Sequence, residues 1–314
     1  MKLVYCGTPH FAVPGLAALL AAGHEVALVV SQPDRPVGRH RQLTTPPVKQ
    51  AATAAGIPVV QPEKIRNNAE FRALLESIRP DAIVVVAYGR ILPPWMLELP
   101  RQGCINLHAS LLPKYRGAAP IQWAVAMGDA VTGNTTMLLE EGLDTGPILL
   151  QREMAIAPEH NAVDLFTLLA EAGAPLLVET LAGLEQGTIQ PRPQDHSRAT
   201  LAPILTREDG RMDFSSRTAE DLLNRWRGFQ PWPGAFTQLE GRKLLVHKMH
   251  GANDMAPGTA QPGQIHVADD RLFVACAQHT WLELVEIQLE GKNRMAAADF
   301  LRGTALAAAA RLGN

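Results

Sequence analysis

Short apolar runs alternate with helical patterns over roughly the first 190 residues of the chain. Six runs rich in valine, isoleucine and leucine predict β-strands, at Leu3–Cys6, Glu25–Val30, Ile57–Gln61, Ala82–Ala87, Cys104–His108 and Thr135–Glu140. Stretches with apolar residues at helical spacing predict helices at Pro14–Ala22, Pro47–Ala55, Ala69–Ile78 and Ala118–Met127. This alternation, with strands that are apolar on both faces, favours an α/β fold with a doubly wound, mostly parallel sheet.

The pattern changes after a long amphipathic helix predicted at Asp164–Gln186. A proline-containing stretch, residues 189–206, has the composition of an extended linker. Beyond it the sequence predicts a helix and then short strands separated by turns, at Thr218–Arg227, Ala235–Leu239, Lys243–Met249, Gly263–Ala268, Arg271–Ala275 and Thr280–Gln288. We therefore predict a first domain over residues 1–188, a linker over 189–206 and a small β-barrel domain over 207–314.

Composition narrows the class of protein. The chain has 314 residues, of which 46% are hydrophobic and 19% charged, and its formal net charge is −2. These values are typical of a globular protein and exclude a generally basic nucleic-acid-binding chain. The N-terminus lacks the layout of a signal peptide and no apolar run is long enough to span a membrane, so we expect a cytoplasmic protein that binds no membrane. Three scattered cysteines predict neither a disulfide framework nor a metal site.

The most informative candidate chemistry lies in the segment 103–113 and in a loop that follows it. Asn106 and His108 are two apart in a predicted strand, so their side chains share one face. Asp144 lies between Gly142 and Gly146. An amide donor, an imidazole and a carboxylate can stabilise an oxyanion, move a proton and orient the base. An Asn-x-His pair alone is more often structural, but here it ends a strand, where ligands gather in α/β sheets.

A longer set of motifs resembles the folate-dependent formyltransferases. It comprises segments 4–9 (Val-Tyr-Cys-Gly-Thr-Pro), 32–36 (Gln-Pro-Asp-Arg-Pro), 87–93 (Ala-Tyr-Gly-Arg-Ile-Leu-Pro), 103–120, 142–146 and 231–236 (Pro-Trp-Pro-Gly-Ala-Phe). The resemblance implies a formyltransferase-like first domain and a C-terminal barrel like an OB-fold that binds tRNA. It also implies transfer of a formyl group from 10-formyltetrahydrofolate to the amino group of methionine on initiator tRNA, by an enzyme that acts as a monomer.

The same resemblance implies roles for individual residues. Asn106 would donate to the oxyanion, His108 would share that role or pass a proton, and Asp144 would orient His108 directly or through an ordered water. Folate would contact Tyr88, Ile91, Ser110, Leu111, Leu112 and Pro113, while Arg39, Arg41, Lys243 and Lys248 would contact tRNA. Phe11 either lines a pocket for an apolar amino-acid side chain or belongs to the core. Gln42 and the pair Pro203-Ile204 replace residues that are often basic in the family, which reduces the expected contacts to RNA there.

Other functions remain open at this stage. Relatives with the same three catalytic residues formylate amino sugars or glycinamide ribonucleotide, and a formyl-folate hydrolase or a non-enzymatic RNA-binding module are further alternatives. The predicted barrel disfavours the short purine enzyme, and the loop that contains Arg39 disfavours the sugar enzymes. Residues 7–11 lack the Gly-x-Gly-x-x-Gly fingerprint, which disfavours a nicotinamide enzyme.

Overall fold

The computed structural model describes residues 1–37, 42–252, 258, 260–307 and 310–313. The chain forms two compact units. The first comprises Met1–Ile121, Ala130–Ala157 and Asp164–Pro203, and the second comprises Gln122–Asp129, Pro158–Val163 and Ile204–Asn314. The segment 189–203, predicted as most of a linker, therefore lies in the first unit.

Nine strands and six α-helices lie in the described residues before position 187. The strands are β1 (Lys2–Gly7), β2 (Glu25–Val30), β3 (Arg35–Val37), β4 (Gln42–Thr44), β5 (Val59–Val60), β6 (Ala82–Val86), β7 (Cys104–His108), β8 (Val131–Leu138) and β9 (Ile148–Ala155). The helices are α1 (Val13–Ala21), α2 (Pro47–Ala54), α3 (Ala69–Ile78), α4 (Pro94–Leu97), α5 (Pro120–Ala126) and α6 (Ala162–Gln186).

Seven of these strands form one sheet in the order β5-β2-β1-β6-β7-β8-β9. Pairing is parallel from β5 to β7 and antiparallel between β7, β8 and β9. The predicted mostly parallel sheet is confirmed. Strand β9 was not predicted, because its second half is polar and partly exposed, as an edge strand allows.

Helices cover both faces of this sheet, as the continuous apolar strands predicted. On one face, Val4 and Cys6 of β1 share a buried cluster with Leu75 of α3. On the other, Tyr5 lies against α1 and α6, since a Cβ at Gly15 would come within 2.9 Å of the Tyr5 hydroxyl and 3.0 Å of Leu177. The alternating side chains of β1 therefore serve two separate packing layers.

Helix α6 is long and apolar enough to cross a membrane by length and composition alone, the one such helix in the described part of the chain. Half of its most apolar window is buried within the protein. Leu165, Leu169, Leu177 and Leu181 are fully buried, and Thr180 of this helix exchanges a 2.8 Å hydrogen bond with Thr136 of β8. Core helices have the same composition, so the apolar surface of α6 is explained by its packing on the sheet.

The second unit contains helices α7 (Ala219–Gly228) and α8 (Ala297–Gly303) and strands β10 (Ala235–Leu239), β11 (Arg242–Gly251), β12 (Ile265–Ala268), β13 (Arg271–Ala275), β14 (Trp281–Leu289) and β15 (Met295–Ala296). The sheet order is β10-β11-β14-β13-β12, with β15 beside β14. All of its strand pairs are antiparallel.

The C-terminal residues close this sheet into a barrel. Leu312 N–H donates to the Gly263 carbonyl next to β12 at 2.8 Å, and Gly313 N–H donates to Gln238 of β10 at 3.0 Å. One short segment thus bonds to both edges, which leaves neither edge open at this point. The predicted C-terminal β-barrel is confirmed.

Candidate active site

Strand β7 carries Asn106 and His108 to the carboxyl end of the parallel part of the sheet. Asn106 Nδ2 donates to the Val85 carbonyl of β6 at 3.1 Å. Among the described residues, Asn106 Oδ1 is buried and has no hydrogen-bond partner. The reverse placement of the amide would set two oxygens against each other, so Nδ2 must face Val85. The second N–H of this amide has no partner among the described residues, whereas the oxygen is enclosed by the protein.

His108 is 6% exposed and has a defined tautomer. Its Nε2 lies 2.9 Å from the Tyr115 carbonyl, and because a carbonyl only accepts, Nε2 carries a proton. Its Nδ1 lies 3.7 Å from Asp144 Oδ2. This separation is an ion-pair distance when His108 is protonated but is too long for a direct hydrogen bond. Nδ1 is therefore the ring atom that can gain or lose a proton.

A tight loop presents Asp144. The residue has a positive φ of 49°, and its Oδ2 accepts a 2.8 Å hydrogen bond from Gly117 N–H. Gly146 closes the loop against β8, where a Cβ would lie 1.9 Å from the Leu138 carbonyl oxygen. The structure thus brings Asn106, His108 and Asp144 together, as their spacing in sequence suggested, although their catalytic roles stay a prediction at this point.

Two polar side chains, Thr135 of β8 and Gln151 of β9, form hydrogen bonds to the backbone of the predicted folate loop at 110–113. Thr135 Oγ1 donates to the Ser110 carbonyl at 2.6 Å and accepts from Leu112 N–H at 3.2 Å. Gln151 Nε2 donates to the Leu112 carbonyl at 2.9 Å, and Ser110 Oγ donates to the Lys114 carbonyl at 2.7 Å. Several backbone groups that could read a pterin are thus already bonded within the protein, while Leu111 and Pro113 are half-buried at the loop surface. The loop stays a predicted folate contact, and these bonds fix its shape.

Tyr88 and Ile91, predicted to wall the pterin, lie in different environments. The Tyr88 ring is 1% exposed inside the core cluster with Val4 and Cys6, and burial raises the pKa of its hydroxyl. Its carbonyl accepts hydrogen bonds from Thr8 and Gln32 at 3.2 and 3.1 Å. Ile91 is 80% exposed. Tyr88 therefore supports the end of β6 from within, whereas Ile91 presents apolar surface.

A cavity of about 230 Å³ opens beside the end of β1. Phe11 and Phe166 meet edge to face there with ring centroids 5.2 Å apart, and Val13, Pro14 and Ala170 complete its apolar wall. His10, Thr167 and Glu171 supply its polar edge. Phe11 is 4% exposed, so it serves both interpretations made from sequence, as a core residue and as a lining residue.

The predicted tRNA residues Arg39 and Arg41 lie outside the described residues. The antiparallel hairpin of β3 and β4 flanks them, and a polar cluster anchors its base. Asp34 accepts hydrogen bonds from Gln61 Nε2 at 2.7 Å and Lys49 Nζ at 2.9 Å, which hold the pKa of its carboxyl below the usual value. Lys49 is thus paired within the protein.

The two predicted basic residues of the barrel differ in their surroundings. Lys243 Nζ lies 4.0 Å from the centre of the Phe236 ring, and partial burial and Arg207 lower the pKa of its ammonium. Lys248 is exposed and faces Glu286 across the β11–β14 pair. A bulge between Val246 and Lys248 shifts the register, so both lysines point away from the barrel core.

Sequence reasoning missed three polar residues beside the predicted catalytic trio: Arg116, Gln194 and Thr200. Gln194 Nε2 donates to the carbonyls of Asp144 and Gly146 at 2.8 and 2.7 Å. Gln194 and Thr200 lie in the proline-containing stretch that resembled a linker. A glutamine in such a stretch gives no local signal of burial, so only the tertiary structure reveals these contacts.

The described residues contain no group of three His, Cys, Asp or Glu side chains that could hold a metal ion. Cys6, Cys104 and Cys276 are free and buried. Burial raises the pKa of Cys104 to about 12, so this thiol is not nucleophilic at neutral pH.

Comparison with protein families matches both units. Residues 1–181 match the family described as formyl transferase, and residues 204–305 match the formyl transferase C-terminal domain. The methionyl-tRNA formyltransferase of Acidobacterium capsulatum is 67% identical over 313 residues, covering 100% of both chains. That of Koribacter versatilis is 58% identical over 314 residues, covering 100% of this chain and 99% of the relative.

Solved structures share the fold at much lower identity. The N-formyltransferase of Helicobacter canadensis, solved with folinic acid and dTDP-3-aminofucose, has a TM-score of 0.67 and 17% identity, and the match covers 90% of this chain and 98% of that one. HypX of Aquifex aeolicus, solved with tetrahydrofolic acid, has a TM-score of 0.60 and 15% identity, with 96% and 47% coverage.

Proposed function

Because the chain belongs to the methionyl-tRNA formyltransferase family, we propose that Asn106, His108 and Asp144 are the residues with which it transfers a formyl group from 10-formyltetrahydrofolate to the amino group of methionyl initiator tRNA. One observation carries the assignment. The half-buried amide of Asn106 lies beside a His108–Asp144 pair, at the carboxyl end of the strands where ligands bind in α/β folds. With one N–H of Asn106 bonded to Val85, its other N–H can donate to an oxygen of the substrate.

The proposed mechanism gives each residue one step. The neutral methionyl amine attacks the formyl carbon, a C–N bond forms, and the carbonyl oxygen becomes an oxyanion that accepts the second N–H of Asn106. The new ammonium loses a proton to His108 Nδ1, since Nε2–H remains bonded to Tyr115. The oxyanion then re-forms the carbonyl as the bond between the formyl carbon and the folate nitrogen breaks. His108 gives its proton to that leaving nitrogen and ends neutral.

Asp144 acts on the charged form of His108. Its Oδ2 lies 3.7 Å from Nδ1 and accepts a hydrogen bond from Gly117, so the carboxylate is held in place as the imidazolium forms. An opposite charge at this distance stabilises the protonated ring, and more strongly in a site that is shielded from water. The separation also leaves Nδ1 accessible to the transferred proton.

We also propose which residues contact the folate donor, the methionine side chain and the tRNA. Ser110–Pro113 and Ile91 would bound the pterin site, with Tyr88 as their support, and the Phe11–Phe166 cavity would take the methionine side chain. A volume of about 230 Å³ and an apolar wall suit an unbranched thioether. Arg39, Arg41, Lys243 and Lys248 would contact tRNA, although Glu286 opposite Lys248 reduces the positive potential there.

We also propose that the enzyme works as a cytoplasmic monomer without membrane contact. The packing of the apolar side of α6 on the sheet supports the last part, because the helix is already part of a protein core. Light scattering coupled to size-exclusion chromatography, and sedimentation with vesicles, test these points.

The decisive experiment compares formylation of charged initiator and elongator methionyl-tRNA with the same formyl donor, in the wild type and in His108→Ala. We expect rapid formylation of the initiator tRNA alone and loss of that activity in the variant. Formylation of a nucleotide-linked amino sugar or of glycinamide ribonucleotide in place of tRNA would refute the proposed acceptor. Release of formate without any acceptor would indicate a hydrolase.

A further inference from the structure

We propose that the segment Arg192–Ala202 is a positioning element of the active site, with Gln194 at one end and Thr200 near the other. Gln194 holds the backbone of Asp144, and Thr200 holds the chain that contacts both Asp144 and His108. This inference rests on the proposed function, because it takes these two residues as catalytic.

The Gln194 side chain is 6% exposed and makes four hydrogen bonds of 3.2 Å or shorter. Its Nε2 donates to the carbonyls of Asp144 and Gly146 at 2.8 and 2.7 Å, and its Oε1 accepts from Arg116 Nε at 3.2 Å and Nη2 at 2.6 Å. Carbonyls can only accept and a guanidinium can only donate, so this amide has a single possible orientation. Gln194 thus links the backbone at Asp144 and Gly146 to a buried cation.

The conformation of Asp144 explains why such a clamp matters. A φ of 49° lies in the left-handed region, which an aspartate adopts at some energetic cost. Without the two N–H donors of Gln194, the loop can relax towards negative φ. Such relaxation moves the carboxylate relative to His108 Nδ1 and weakens the ion pair that forms during the reaction.

The chain from Tyr115 to Gly117 fixes the other side of the same pair. Its Tyr115 carbonyl accepts the Nε2–H of His108 at 2.9 Å, and its Gly117 N–H donates to Asp144 Oδ2 at 2.8 Å. These two bonds set the tautomer of the imidazole and the direction of the carboxylate. A displacement of this short stretch would disturb both groups together.

The far end of the positioning segment holds that stretch in place. Thr200 Oγ1 accepts from Tyr115 N–H at 2.9 Å, and the Thr200 carbonyl accepts from Arg116 N–H at 2.9 Å. Ala202 N–H then donates to the Arg116 carbonyl at 2.7 Å. Gly117 is required at this contact, because a Cβ there would lie 2.7 Å from the Ala202 carbonyl oxygen. One segment therefore carries the supports of both His108 and Asp144.

The test uses the full-length protein and Gln194→Met, which preserves the length of the side chain and removes its donors. We expect kcat to fall by about 10- to 100-fold while KM for tRNA and the folate donor stays within about twofold, as for lost orientation of a catalytic group. The pH at half-maximal kcat should also move. A smaller fraction of folded enzyme would lower kcat equally at every pH and would not move the pH profile. Binding of one folate analogue per protein molecule would show that the variant is fully folded.

Thr180→Val is the matched control, because it removes a buried 2.8 Å hydrogen bond to Thr136 in the same unit and touches no member of the site. It should keep the kcat and pH profile of the wild type. Thr200→Val tests the other end of the segment and replaces Gln194→Met if that protein does not fold.

The outcomes separate the two proposals. The positioning role alone would be overturned if Gln194→Met kept the kcat and pH profile of the wild type while His108→Ala was inactive. Thr200→Val gives the same test if Gln194→Met does not fold. An active His108→Ala would instead overturn the catalytic assignment on which it rests.

Discussion

Replacement of Asn106 by leucine should separate activity from stability. Leucine has nearly the shape of asparagine and neither of its polar atoms. The substitution removes the bond to Val85, worth about 1 kcal/mol net, but it also removes a buried oxygen whose lack of a partner costs about 1–3 kcal/mol. The free energy of unfolding should therefore change by less than about 1 kcal/mol or increase.

Turnover should respond quite differently. Loss of one oxyanion donor lowers kcat by about 10²–10³, or about 2.7–4 kcal/mol of transition-state stabilisation. Initial rates of formylation with saturating tRNA and folate donor, and urea unfolding followed by circular dichroism, measure the two quantities on the same preparation.

Asn134 of β8 provides a matched control. It is 1% exposed, its Nδ2 donates to the Leu169 carbonyl at 2.9 Å, and its Oδ1 also has no partner among the described residues. Asn134→Leu should thus have the same small effect on stability and leave kcat unchanged. Turnover of Asn106→Leu within tenfold of the wild type would refute the oxyanion role. So would a loss of more than about 3 kcal/mol of stability in Asn106→Leu alone, because it would show that this amide is structural.

Three further predictions follow from other parts of the structure. His108→Ala and Asp144→Asn should each lower kcat by about 10²–10⁴ with unchanged circular dichroism, and near-normal turnover of either would exclude proton transfer through this pair. Tyr88→Phe removes a buried hydroxyl without a partner among the described residues, so urea unfolding should show equal or higher stability and calorimetry the same folate affinity; weaker folate binding would show that the hydroxyl reaches the ligand. Hydrogen bonds from Ser215 and Ser216 lower the pKa of Asp213 from 3.8 to about 2. These bonds therefore contribute stability above pH 3.8 that is lost as the pH falls towards 2. Thermal melts should consequently lose more stability between pH 5 and 2 in the wild type than in Asp213→Asn, and equal losses would contradict this linkage.

The sequence predicted elements best where the local pattern alone determines them. The bounds of Glu25–Val30, Ala69–Ile78 and Cys104–His108 agree with the structure at both ends. The run predicted as a strand at Ile57–Gln61 pairs only at Val59–Val60, because the sheet ends there and offers one neighbour. The run predicted at Thr135–Glu140 instead begins at Val131, since pairing with the unpredicted β9 extends it.

The same distinction applies to the site. Asn106 and His108 could be placed on one face from their spacing, because a strand alternates its side chains with a period of two. The contacts of Gln194 and Thr200 to the catalytic loops join residues that are between 48 and 85 positions apart in sequence. Neither periodicity nor turn propensity carries information over that distance, and the prolines around these two residues indicated an extended, exposed chain.

The position of these supports connects catalysis to the domain organisation of the chain. The segment that follows the last helix of the first unit could in principle run directly to the barrel. Instead, it returns across that unit, pairs with β9 through Ile148 and Arg192, and pairs with the catalytic loop through Arg116 and Leu201. A fragment that ends near residue 190 contains the three proposed catalytic residues but lacks Gln194 and Thr200, which we propose orient two of them. We therefore expect the formyl-transfer unit to extend to residue 203, where the contacts of the first unit end.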